Sequence, residues 1–98
     1  MMMNEATILD IKNYLNLLRG KGIPVSFGVA FGPEGGDVAV VVVSPVLDAE
    51  KKQPIIDRLW QLSGRRIVPI PCGARQWGED TTSALISIAR LNGEKISP

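Results

Sequence analysis

Histidine is absent from these 98 residues, cysteine occurs once, aromatic side chains make up only 5%, and the charges nearly cancel. Each shortage removes a class of function. Without histidine there is no Ser-His-Asp relay, and zinc loses its usual nitrogen ligand. The single cysteine, Cys72, has no partner in the chain for a disulfide, which fits a reducing compartment. With no imidazole to activate it, Cys72 reads as an inert thiol rather than a nucleophile. Eleven Lys+Arg against ten Asp+Glu leave a net charge of +1, which makes no electrostatic case for nucleic acid or a membrane surface. The pairs Lys51-Lys52 and Arg65-Arg66 read as solvated surface. No apolar run approaches the roughly 20 residues needed to span a bilayer. The opening MMMNEATILD has neither the basic start nor the apolar run of a secretion signal. These features together lead one to expect a soluble, cytoplasmic protein, with the true start open among Met1, Met2 and Met3.

What is present is an ordinary apolar fraction of 45%, in a length that suits one domain spanning 1–98. Ile8, Ile11, Leu15 and Leu18 follow the spacing of one buried helix face, widened by Leu9 and Leu17. Thr7 with Asp10 reads as the cap, and Gly20 and Gly22 stop the helix. A strand follows over 25–31, with Val25, Phe27, Val29 and Phe31 alternating against small Ser26, Gly28 and Ala30, a face on which another element can pack closely. The turn formers GPEGG then lead into Val38 to Val43, apolar on both faces and β-branched at five of six positions, the pattern of a central strand. Pro54 opens a second helix carrying Ile55, Ile56, Leu59, Trp60 and Leu62, with Trp60 expected in the core. RRIVPIP is a third strand, placed at an edge because Pro69 and Pro71 donate no ladder hydrogen bonds. CGARQWGED reads as loop, with Trp77 covering the edge of the core. Asp80 or Thr81 is expected to cap a third helix bearing Leu85, Ile88 and Ala89, and residues 94–98 are expected to form a loose tail. The fold class is thus α+β (two-layer α/β), a small mixed sheet with helices packed on it in the order α-β-β-α-β-α.

This order resembles the minimal nucleotidyltransferases of the DNA polymerase beta superfamily. In that family a leading helix runs into a strand ending in an aromatic-Gly-Ser motif, followed by Ser-Asp-hydrophobic-Asp at the head of a very apolar strand. IPVSFGVAFG is similar to the first strand, ending in Phe31-Gly32, and GDVAVVVVSP to the second, with Gly36-Asp37-Val38-Ala39 at the acidic motif. IIDRLWQLSGRRIVPIPCGARQW looks like the family's leucine-tryptophan helix, proline-rich strand exit and loop tryptophan, and TTSALISIARLNGEKI like its closing helix. The resemblance implies a nucleotidyltransferase-like fold, with Asp37 as catalytic and metal-binding residue, Gly32, Gly35 and Gly36 as nucleotide-binding glycines, and Mg2+ with a nucleoside triphosphate as cofactors if the chain is active.

The chain departs from the pattern where the chemistry resides. Two carboxylates two apart on a strand share a face and grip the same metal ions, and a neighbouring strand supplies a third. Here Ala39 stands at the second position, and the third strand offers Arg65 and Arg66 but no acid. Pro33 replaces the serine if Phe31-Gly32 is the motif; Val29 replaces it if Phe27-Gly28 is. Glu34, Asp48, Glu79 and Asp80 sit where turns and caps ordinarily place acids, and Asp37 also reads as a turn residue entering a strand. Three functions follow. The first is a catalytically degenerate domain acting through protein–protein interaction, for which the resemblance implies a helical HEPN-type partner (sometimes a toxin–antitoxin arrangement) or self-association. The second is an active Mg-dependent enzyme transferring a nucleoside monophosphate, centred on Asp37 and helped by an acid such as Glu34. The third is a structural α+β subunit outside the family.

Overall fold

A computed structural model describes residues 4–32, 37–64, 66–79 and 83–98. The chain opens with helix α1, Glu5–Gly20, capped by Asn4, whose side chain accepts a hydrogen bond from the Thr7 N–H at 2.8 Å. That cap lies three residues ahead of the Thr7–Asp10 arrangement expected from sequence, and it satisfies one of the helix's unpaired donors. Ile11, Tyr14, Leu15 and Leu18 are buried, whereas Leu9 and Leu17 are exposed, so Tyr14 and not the outer leucines widens the stripe. Gly22, with φ +88°, closes the helix by donating to the Arg19 carbonyl.

Strand β1 spans Phe27–Phe31 and β2 spans Val38–Ser44, antiparallel to it with Phe27 opposite Val43 and Phe31 opposite Ala39. A 3-10 turn, Pro45–Asp48, and helix α2, Gln53–Leu62, carry the chain to β3, Ile67–Gly73, which lies parallel to β2. Helices α3, Ala74–Glu79, and α4, Ala84–Asn92, follow, and β4, Glu94–Ile96, returns antiparallel to β1. The sheet order is β3-β2-β1-β4, a mixed sheet with β2 central and β3 at an edge, as the valine run and the prolines implied.

Residues 94–96, expected in a loose tail, therefore form the other outer strand. The loop expected over 72–80 contains α3. Helices cover both faces of the sheet, giving three layers where two were expected. On one face Val38, Val40 and Val42 of β2 pack with Ile11, Leu15 and Leu18 of α1 and Leu59 of α2; on the other, Val41 and Val43 pack with Val29, Phe31, Cys72, Ile86 and Ala89. This is why β2 is apolar from Val38 to Val43: neither of its faces meets water.

The small residues of β1 take the role their size suggested. A Cβ on Gly28 would stand 3.0 Å from a Leu15 methyl, so α1 lies directly on the sheet there, and the stripe is occupied by the chain itself rather than left open to a partner. The second helix turns differently from the expected frame. Leu59 is its buried residue and Trp60 is 51% exposed, not core. The Tyr14 hydroxyl donates to the Leu59 carbonyl at 2.7 Å, joining α1 to α2 in a buried site, and burial pushes the phenol's pKa well above its usual range.

Helix α4 is rotated as well. Ile86 and Ala89 face the core, while Leu85 and Ile88, expected there, are exposed. Ser83 is its N-cap, accepting from Ile86 N–H; the caps expected at Asp80 and Thr81 lie outside the described residues. Asp48, read as a turn acid, has a capping role across the fold. Its carboxylate accepts from the Arg75 and Gln76 N–H groups at the start of α3, 27 and 28 residues on, and a Cβ on Gly73 would lie 1.8 Å from its Oδ1. Only glycine leaves room for that carboxylate.

Candidate functional site

Asp37 is exposed and sits one residue before β2, where the Val38 N–H donates to the Arg66 carbonyl at 2.8 Å and ties the mouth of β2 to that of β3. Gly32 follows β1 with φ +131°, a backbone region that favours glycine, and a Cβ there would lie 3.7 Å from the Asp37 carbonyl and the Ala39 N–H. Gly32 and Asp37 are thus neighbours. Gly35 and Gly36, with Pro33 and Glu34, lie outside the described residues, as does Arg65.

The sequence reading placed Ala39 on the face that a second metal-binding acid would occupy. Ala39 pairs with Val68 on β3 and packs in the same cluster as Val41 and Ile70. The position two after Asp37 and the neighbouring-strand position opposite it are therefore both aliphatic. Among the described residues, no group of three or more histidine, cysteine, aspartate or glutamate side chains comes together as a metal cage.

Asp37 instead borders a cleft of about 330 Å³ against the N-terminal half of α1, shared with Asn4, Thr7, Asp10, Arg66 and Ile67. A second cleft of about 310 Å³ adjoins it, sharing Asp10, Arg66 and Ile67 and adding Tyr14, Leu17 and Leu62. The first is bordered mainly by charged, amide and hydroxyl side chains; the second sets Tyr14, Leu17, Leu62 and Ile67 beside the polar Asp10, Asn13, Ser63 and Arg66. Asp10, read as a helix cap, is the site acid that sequence order concealed. Its signal was the polar series Asn4, Thr7, Asp10 at three-residue spacing beside Ile11, a stripe along one helix face.

The opposite side of the sheet carries a cationic and aromatic seam. The Arg90 guanidinium lies 5.4 Å from the Trp77 ring centre and donates to the Trp77 carbonyl. Trp77 meets Phe27 edge-on, with centres 5.8 Å apart at 78°, and the Lys95 ammonium sits 4.4 Å over Phe27. These contacts fasten α3 and α4 to β1 and β4, and Trp77 covers the core edge as expected. Beyond the seam, Leu85, Ile88 and Leu91 of α4 are exposed at 50%, 44% and 83%. No helix among the described residues is long and apolar enough to cross a membrane. Comparison with protein-family models, curated proteins and solved structures returned no match.

Proposed function

We propose that the chain is a nucleotidyltransferase-type domain, catalytically degenerate, that acts by holding a helical protein partner of the HEPN type. The observation that carries this reading is the row Leu85, Ile88 and Leu91 on α4, three large apolar side chains in water on one helix, spaced three apart as helix–helix packing uses them. Ala39 and Val68 support the degenerate half: methyl groups occupy positions where the family places metal ligands, and magnesium requires oxygen ligands. The test is light scattering on the purified chain, alone and co-expressed with the product of an adjacent gene. A defined heteromeric complex that Ile88→Glu with Leu91→Glu dissociates supports the reading. A homodimer dissociated by the same changes moves the contact to self-association. A monomer in both preparations overturns it.

Asp10 favours a second reading. It supplies the additional acid that a Mg-dependent nucleotidyl transfer centred on Asp37 requires, since both border the same cleft. Calorimetric titration with MgATP, repeated on Asp37→Asn and Asp10→Asn, tests it. No heat with any nucleoside triphosphate removes it.

A further inference from the structure

The groove along α1 combines three properties that the interaction reading does not use. Its polar half is bordered by charges of both signs, the carboxylates of Asp10 and Asp37 and the guanidinium of Arg66. Among the described residues these three groups are not ion-paired with one another or with any other side chain. Its other half sets Tyr14, Leu17 and Leu62 beside Asn13 and Ser63 and exposes mainly apolar surface, and the two halves meet at Asp10, Arg66 and Ile67. A simple cation would leave Arg66 unused and repelled, and an anion would face two carboxylates. A ligand carrying both charges close together, with an apolar extension, meets all three conditions.

We propose that this groove binds a zwitterionic α-amino acid with a bulky apolar side chain. The ammonium lies between Asp10 and Asp37, the carboxylate is held by Arg66, and the side chain extends over Leu17 and Leu62. Arg66 suits the carboxylate because its planar fork makes two parallel charge-assisted bonds. The combined space of the two clefts is in the range of small-molecule sites. A chain terminus in a peptide presents the same ammonium or the same carboxylate, but never both on one α-carbon, and this separates the two sources.

The experiment is an amide-resolved NMR titration of the full chain with L-phenylalanine, with phenethylamine, which lacks the carboxylate, and with N-acetyl-L-phenylalanine, which lacks the ammonium. Saturable shifts are expected for L-phenylalanine at Thr7, Asp10, Arg66 and Leu17, with Kd on the order of 1 mM, and binding of each analogue is expected to be about tenfold weaker, the loss of one charge-assisted contact. Asp37→Asn and Arg66→Gln are each expected to weaken L-phenylalanine to a similar degree. Equal binding of all three compounds, shifts confined to residues outside the groove, or no saturation by about 30 mM overturns the proposal. Should a variant fail to fold, the three ligands on the unaltered chain still decide it. Tight binding of N-acetyl-L-phenylalanine alone, or of phenethylamine alone, points to a peptide terminus and also overturns it. The α4 contact and MgATP binding are read independently, so a failure here leaves both readings of function standing.

Discussion

The two helical layers differ in how deeply they bury their apolar residues. On one face of the sheet, α1 and α2 bury Ile11, Leu15, Leu18 and Leu59 completely, and the Tyr14–Leu59 hydrogen bond joins them. On the other, α3 and α4 are short and contribute only Ile86 and Ala89 to the buried cluster, reinforced by the Arg90–Trp77–Phe27–Lys95 seam. The first layer also leaves Leu9, Leu17 and Trp60 exposed, but divided between two helices. The second leaves Leu85, Ile88 and Leu91 in water, where they lower solubility unless something covers them. The apolar residues of α1 and α2 are therefore weighted toward the core, and those of α4 toward the surface.

Substitutions sharpen that contrast in order of size. Leu59→Ala empties a site with no exposure and should cost about 3 kcal/mol or more in urea unfolding. Ile86→Ala, in the thinner layer where neighbours collapse more easily, should cost about 2 kcal/mol; a larger loss there than at Leu59 would reverse the ranking of the layers. Gly73→Ala forces the Asp48 carboxylate off the start of α3 and should cost about 1–2 kcal/mol. In an Asp48→Ala background the same change should cost less, a coupling that a double-mutant cycle measures. Tyr14→Phe loses a buried hydrogen bond, about 1 kcal/mol.

Tyr14 also gives the pH prediction. Because burial holds its folded pKa above the unfolded value of about 10, the folded state keeps the proton longer. The tyrosine's contribution is intact below that pH and falls as the pH rises past it, and Tyr14→Phe should flatten the fall. Tyr14 is the single tyrosine of the chain, so ultraviolet titration of the phenolate reads it directly. Smallest of all, Leu91→Ala should change stability by under about 0.5 kcal/mol; a substantial loss would mean that the exposed row belongs to the core after all.

How much of this was legible in the chain depended on where each signal lies. The valine run of β2, the prolines of β3 and the helix stripe of α1 are local patterns imposed by burial, and each could be read directly. The 3-10 turn, α3 and β4 have causes remote in sequence. Asp48 caps α3 from 27 residues away, and β4 is three residues long and exists because β1 offers it a ladder. Helix α4 misled because Leu85 and Ile88 are more apolar than the face that packs, where small Ala89 lets the helix approach; a Cβ on Gly93 would meet Val29 at 2.4 Å. At the candidate site, the polar stripe that carries Asp10 is visible in the spacing of α1, but its meeting with Asp37 depends on how α1 docks on the sheet, which that spacing does not encode.

The proline pair of β3 has a further consequence. Pro69 and Pro71 lie opposite Val40 and Val42 on the inner strand, and an outer strand tolerates proline only where the missing N–H would have faced away from its neighbour. That flank of the sheet thus presents carbonyls without matching donors, and an incoming extended segment would find half of its ladder missing. Growth of this sheet by another chain is chemically blocked on the β3 side, so the protein carries its own safeguard against edge-to-edge stacking at the strand where its parallel pairing would otherwise be easiest to copy.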